Sequence, residues 1–138
     1  MKHFLYALLI ACLAAVNVAH ARSAVPLVNV DKADITAPSG KAPSLNDVAT
    51  AVRHAGTALG WTIETVSPGV MVGTLMVRNK HAIKVDITFT ERTISFTYKD
   101  SINMKYGTNS DGQPVIHPFY MDWVDALLQG TRRELALP

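Results

Sequence analysis

Three turn signals between residues 61 and 99 constrain the fold of this 138-residue chain more than any other feature. Pro68-Gly69 suits a type II turn, while Asn79-Lys80 and Glu91-Arg92 suit two-residue hairpin loops. The segments between them are rich in β-branched and aromatic residues, which favour strands. Together, these turns predict a four-stranded antiparallel meander in which each strand pairs with the next.

The loop lengths also predict the strand register, which decides which side chains share a face. With two-residue loops, Val72 faces Ile87, and Ile87 faces Phe96. One face then collects the following large apolar residues: Trp61, Ile63, Val70, Val72, Met76, Ile83, Val85, Ile87, Phe89, Ile94, Phe96 and Tyr98. The opposite face is polar over the last two strands, but Met71, Leu75 and Val77 give it an apolar patch. We interpret this patch as a candidate partner-binding face.

The last strand of the meander, Thr93 to Lys99, is predicted to lie at a sheet edge. An edge strand that is rich in threonine and serine could accept a strand from a partner. The same composition also protects an edge from aggregation.

Two amphipathic helices flank the meander. The first runs from about 45 to 59, with Ser44 as N-cap, Asp47 in the capping-box position and Gly60 as the stop. The second begins with Pro118 as its first helical residue. Its apolar stripe contains Phe119, Trp123, Leu127, Thr131 and Leu135, and Val124 and Leu128 widen it. The sequence therefore predicts an α+β two-layer sandwich, ordered helix, four-stranded antiparallel meander, helix, with both helices on one sheet face.

The N-terminal segment predicts export. An apolar run from Phe4 to Val16 is followed by small residues in Ala19-His20-Ala21, which is typical of a signal peptide spanning 1–21 and cleaved after Ala21. The run is too short to span a membrane, so no transmembrane segment is expected after cleavage. We therefore expect a periplasmic or secreted protein. Alternatively, Leu9-Ile10-Ala11-Cys12 matches a lipobox, which would make Cys12 a lipid anchor.

The chain after the signal peptide divides into two parts. Residues 22–43 form a linker or contain a short extra strand within 25–30, and residues 44–138 form an α+β domain.

Composition excludes several functions for this part of the chain. The single cysteine excludes an internal disulfide and a multi-cysteine zinc site. A formal net charge of +2 is too small to suggest nucleic-acid binding through a basic surface.

No cofactor, metal or catalytic motif is present in the sequence. His117 is the best candidate for chemistry, because Asp122 and Asp125 follow it in the first two turns of the second helix. A histidine beside carboxylates could bind a metal or act as an acid–base pair. Acids in these turns are also expected from the helix dipole alone. We therefore name no catalytic residue.

The segment from Leu59 to Leu135 resembles a group of small exported bacterial envelope proteins, some of them lipoproteins, that have no assigned activity. The resemblance depends on Gly60-Trp61, residues 78–81, Asp100-Ser101-Ile102-Asn103, Tyr106, Ile116-His117-Pro118-Phe119-Tyr120 and Trp123. It implies an envelope location and no enzyme class. It also draws attention to Tyr106, His117 and Tyr120 as candidate ligand-binding residues at a pocket between the layers.

Three functions follow from these observations. The first is a non-catalytic module that binds an envelope protein or polymer through the open sheet face or the edge strand. The second is a small-ligand carrier with a pocket between helices and sheet. The third is an enzyme that uses His117 and nearby acids.

Overall fold

The structure is a computed structural model that describes residues 22–36 and 40–137. The predicted signal peptide, its cleavage point and Cys12 lie outside the described residues. In chain order, the elements are β1 (Val25–Pro26), β2 (Val30–Asp34), α1 (Leu45–Ala58), β3 (Trp61–Ser67), β4 (Val70–Val77), β5 (His81–Phe89), β6 (Thr93–Ile102), β7 (Gly107–Thr108), β8 (Pro114–Ile116) and α2 (Phe119–Ala136). The described chain is thus α+β, with two helices and antiparallel sheets.

Helix α1 begins where the sequence predicts and ends one residue earlier, with Leu59 as its C-cap. The Ser44 hydroxyl accepts a hydrogen bond from the Asp47 N–H, and the Asp47 carboxylate accepts one from the Ser44 N–H. These bonds satisfy two backbone N–H groups at the helix start and form the predicted capping box. Gly60 follows the last turn with φ +86°, a conformation that glycine adopts without steric cost. Val48, Val52 and Ala55 are buried, as the apolar stripe requires.

The main sheet has five strands in the order β2-β6-β5-β4-β3, whereas the sequence predicted four. The meander β3 to β6 is present, but β2 pairs with β6, so the last strand of the meander is not an edge. Residues 22–43 therefore contain strands in addition to connecting segments. The extra strand that the sequence allowed within 25–30 reaches only the first residue of β2. The rest of β2 was not predicted because its alternation is broken: the register shifts between Val30 and Ala33, and Lys32 has φ +49°.

The predicted register of β4 is wrong by one residue. Val77 pairs with His81 across a three-residue turn, in which the Lys80 N–H donates to the Val77 carbonyl. Arg78 and Asn79 both have positive φ, at +54° and +53°. A shift of one residue moves every side chain of a strand to the other face.

The predicted partner-binding face is therefore corrected. Met71 is 1% exposed and Leu75 is 6% exposed, because both face the core. Val77 packs against the same core. On the open face, Met76 is exposed instead, and it lies in register with Ala82, which in turn pairs with Ile102.

The other two predicted turns are confirmed. Gly69 has φ +77° in the turn between β3 and β4, as a type II turn requires. In the hairpin of β5 and β6, Phe89 pairs with Ile94 and Ile87 with Phe96, which is the predicted register. This register holds as far as the Val85–Tyr98 pair, beyond which a bulge shifts it.

Helix α2 starts one residue later than predicted, with Pro118 as its N-cap. Its buried residues are Tyr120, Val124, Leu127, Leu128, Gly130 and Thr131, which confirms the middle of the predicted stripe, and Trp123 and Leu135 pack against the same core. Phe119, expected in the core, is 39% exposed at the helix start. No helix within the described ranges is long and apolar enough to cross a membrane.

A second, smaller sheet leads into α2. Its strand β1 lies within 25–30, where the sequence allowed a short extra strand, whereas its other two strands were not predicted. The sheet has the order β1-β8-β7 and brings the start of the described chain beside the residues that precede α2. The buried residues of both helices and of the main sheet form one core cluster, which includes Val52, Phe96 and Leu127.

Candidate functional site

Two edges bound the main sheet, and they differ in how they are protected. The strand β2 carries Asp31, Lys32 and Asp34, is interrupted by the register shift, and has its Asp34 carbonyl bonded to the Arg132 guanidinium at 2.9 and 3.0 Å. Charges, bulges and covering side chains are the usual means of preventing strand addition. The β2 edge is therefore poorly suited to accept a partner strand.

The strand β3 forms the opposite edge and lacks most of these features. It pairs with β4 in regular register from Trp61 to Thr65, and Glu64 is its only charged residue. Within the described residues, no strand pairs with its outer side. Val66, left unpaired by a register shift, is exposed. The backbone of β3 is thus open to hydrogen bonding over about five residues.

A groove lies beside this edge, between β3 and the first three turns of α1. It has a volume of about 430 Å³. We call it the edge groove; its lining residues are Leu45, Asn46, Ala49, Arg53, Thr65, Ser67, Pro68, Gly69, Met71 and Phe89. Arg53 donates a long hydrogen bond of 3.5 Å to the Thr65 hydroxyl. In the described part of the chain, no carboxylate forms an ion pair with Arg53.

A second cavity, of about 330 Å³, lies at the opposite end of β4. We call it the end cavity; it is lined by Val77, Arg78, His81, Met104, His117, Phe119, Asp122 and Trp123. Its aromatic side is continuous, because the Phe119 ring lies 4.6 Å from His117 and 5.8 Å from Trp123 between ring centroids. Arg22 lies over the Phe119 ring at 4.9 Å.

Backbone partners define the tautomers of the two histidines in this cavity. The His117 Nδ1 accepts the Phe119 N–H at 3.1 Å, so in the neutral ring Nε2 carries the proton. The His81 Nδ1 lies 2.8 Å from the Asn103 carbonyl, which can only accept, so here Nδ1 carries the proton. The free nitrogens of the neutral rings are therefore a donor on His117 and an acceptor on His81.

Burial is the main cause that lowers the pKa of His117. The positive charges of Lys105, Arg22 and His81 lower it further, whereas the Asp122 carboxylate acts in the opposite direction. Although Asp122 and His117 line the same cavity, the described structure contains no hydrogen bond or ion pair between them. The acid–base pair considered from the sequence is not assembled. No cluster of three or more potential metal ligands occurs among the described residues.

We expect the pH dependence of stability to change in His117→Asn. The asparagine oxygen can replace Nδ1 as acceptor for the Phe119 N–H but does not titrate. Because the pKa of His117 is lower in the folded chain, the neutral ring stabilises the fold above the unfolded value of about 6.5, and this contribution is lost as pH falls through the window below it. Urea unfolding from about pH 7.5 to about pH 5 should show a larger loss of stability for the wild type than for the variant. Equal losses of stability in the two proteins would contradict a lowered pKa of His117 in the folded chain.

The three ligand-binding residues predicted from the sequence do not surround one pocket. Tyr120 is 1% exposed in the core, whereas Tyr106 is 51% exposed and stacks on Tyr98 at 4.3 Å. The Tyr120 ring meets Tyr98 edge-on at 5.7 Å. His117 lines the end cavity, while Tyr106 lines a separate depression of about 460 Å³ with Tyr98 and Ser101.

The hydroxyl of Tyr120 is buried and forms no hydrogen bond with another described residue. Burial raises the pKa of Tyr120 strongly, and the neighbouring Tyr98 adds to this. An unsatisfied buried hydroxyl costs about 1–3 kcal/mol. We therefore expect Tyr120→Phe to raise the free energy of unfolding by about 1 kcal/mol.

Tyr98→Phe is the matched control, because it removes a hydroxyl that does have a partner, the Ser101 Oγ at 2.8 Å. It should lower the free energy of unfolding by about 1 kcal/mol. Denaturant unfolding of both variants provides the comparison. Destabilisation by Tyr120→Phe would show that the hydroxyl has a partner.

Sequence reasoning missed the edge groove, Arg78 and His81 as site residues. The groove depends on which side of the sheet Met71 faces, and so on the register that was predicted wrongly. Comparisons of the chain with protein-family models, curated proteins and solved structures find no match. The resemblance to small exported envelope proteins therefore stays a prediction from the sequence.

Proposed function

We propose that this chain is an exported, non-catalytic module of the bacterial envelope that binds an extended segment of another envelope protein by strand addition along β3. The observation that carries this proposal is the difference between the two edges of the main sheet. Charge, a register shift and Arg132 protect β2, whereas β3 is regular from Trp61 to Thr65 with one charge. Unprotected edges favour pairing with another chain.

The position of the edge groove supports this mode of binding. We take the fold as a two-layer arrangement with both helices on one face of the main sheet, so that α1 stands beside the β3 edge. In an added strand, alternate side chains point to the same face. One of these side chains would enter the groove beside Ala49 and Leu45, while the backbone bonds to β3.

The chemistry of the groove favours a peptide with an aliphatic residue and an acid. Ala49, Met71 and Phe89 provide apolar contact, and Arg53 provides a cation for which the described chain offers no carboxylate. A polymer or a lipid headgroup could use the cation, but only a polypeptide backbone supplies alternating N–H and C=O groups along the edge. We therefore favour a protein partner over an envelope polymer.

Selection of peptides on the purified protein tests the proposal. A phage-displayed library of random peptides of about eight residues should yield binders with an aliphatic residue and an acidic residue two positions apart, which is the spacing of one strand face. Binding should weaken by at least about tenfold in Ala49→Arg, which fills the groove with a bulky cation.

Thr57→Arg is the matched control, because it adds the same side chain to an exposed position of α1 that does not line the groove. It should leave peptide binding within about twofold. Failure to enrich any peptide, or equal binding to the two variants, would overturn the proposal.

Export is a separate part of the proposal and has its own test. Mass spectrometry of the protein recovered from cells should find Arg22 as the first residue if cleavage follows Ala21. If a lipidated Cys12 is the first residue instead, the exported protein is anchored to a membrane as a lipoprotein. An intact Met1 would contradict export through a cleaved signal.

A further inference from the structure

The end cavity has the features of a small-molecule site that is independent of the edge groove. The two lie at opposite ends of β4, near Val77 and Gly69 respectively. A volume of about 330 Å³ is within the range of ligand pockets. Apolar walls with a few polar groups are typical of such pockets, and here Met104, Phe119 and Trp123 provide the walls.

Positive charges outnumber negative ones in and around this cavity. Arg78 lines it, and the described residues contain no carboxylate in an ion pair with this guanidinium. Lys105 and Arg22 are close enough to act electrostatically on His117. Asp122 is the single acid in the lining. The sum favours a ligand with a negative charge.

Backbone strain concentrates at the same place. Arg78 and Lys105 have φ of +54° and +53°, which is costly for residues with these side chains; Asn103, at +56°, is of a type that tolerates this region better. The backbone carbonyl of Asn103 accepts a hydrogen bond from the His81 ring. The Lys105 ammonium donates one to the backbone carbonyl of Arg22 at 2.9 Å. Glycine would make these turns without strain, so the turns alone do not explain the two cationic side chains.

We infer that the end cavity binds a small carboxylate with an apolar body, with the guanidinium of Arg78 on the carboxylate and the rings of Phe119 and Trp123 against the body. A guanidinium can hold both oxygens of a carboxylate, and these charge-assisted bonds are stronger than neutral ones. The free Nε2–H of His117 is a further donor for the anion. This site is additional to the proposed binding of a peptide at β3.

Phenylacetate and hexanoate are suitable probes, each compared with its uncharged amide. In nuclear magnetic resonance titrations of the protein expressed from its full sequence, we expect at least one acid to shift the Trp123 indole and His81 ring signals, with Kd on the order of 1 mM or tighter. The matching amide should bind at least about tenfold more weakly, because it cannot form the charged pair.

Two substitutions in one turn distinguish a direct contact by the Arg78 guanidinium from a general effect of positive charge on ligand binding. Arg78→Gln should weaken binding by at least about tenfold, whereas Lys80→Gln, in the same turn but outside the cavity lining, should change it by less than about twofold. Arg78→Gly should also abolish binding while raising the melting temperature, because glycine relieves the positive φ.

The inference is overturned if neither acid shifts these signals at about 10 mM, or if acid and amide bind equally. It is also overturned if Arg78→Gln and Lys80→Gln have the same effect. Peptide binding at β3 should be unchanged in both variants, so failure of this site is distinguishable from failure of the proposed function.

Discussion

Met71→Lys is expected to destabilise the protein by more than about 3 kcal/mol, whereas Val72→Lys is expected to be tolerated. Met71 is buried among the core residues, and no described acid there could pair with the new ammonium. Val72 lies on the open face between Glu64 and Asp86 in the register of the sheet. A lysine at this position would have an acid on each neighbouring strand.

The comparison of these two neighbours tests the strand register directly. The register expected from the sequence places Val72 in the core and Met71 outside, so it predicts the reverse order of stability. Circular dichroism during urea unfolding measures both variants. If Met71→Lys does not fold at all while Val72→Lys folds normally, the register is supported; a folded Met71→Lys with an unfolded Val72→Lys would contradict it.

Gly56→Ala is expected to destabilise the protein by about 1–3 kcal/mol, although alanine is the better helix former. Gly56 lies in the last turn of α1, where the helix approaches β3 closely. A Cβ atom at this position would be 2.6 Å from the Ile63 Cγ1 and 2.9 Å from its Cδ1. Because Cγ1 is near the backbone and Gly73 packs on the other side, Ile63 has little room to move.

Ile63→Ala should relieve this clash, so the double variant should lose less stability than the sum of the single variants, by about 1–3 kcal/mol. Thr57→Ala, at the exposed neighbouring position, is the control and should change stability by less than about 0.5 kcal/mol. Denaturant unfolding of the wild type, the two single variants and the double variant completes the cycle. Additive losses would show that α1 and β3 are further apart at this point.

Local signals in the sequence were sufficient for the parts of the fold that depend on near neighbours. The capping box of Ser44 and Asp47 and the Pro68-Gly69 turn use interactions within a few residues, and both occur as predicted. The turn at Arg78 was not predicted with its correct length. Both Arg78 and Asn79 have positive φ, but neither is glycine. A rule based on glycine cannot detect such a turn.

Features that depend on distant pairings could not be predicted in the same way. The strand β2 is held by its pairing with β6 and by Asn29, whose side-chain oxygen accepts the Tyr98 N–H at 2.9 Å. Neither contact produces a periodic pattern in the sequence. The candidate sites share this difficulty, since His81 and His117 come together only after the sheet and α2 have packed. His117 was identified from its position before Pro118, but its partners were not.

Hydrogen exchange along β3 distinguishes strand addition at this edge from binding elsewhere. With the protein saturated by a selected peptide, the amides of residues 61–65 that point away from β4 should become protected, while the amides of β2 should exchange as before. Alternate protection along β3 is the result that strand addition predicts. Protection at β2 or on the open face, with β3 unchanged, would show that the partner binds elsewhere.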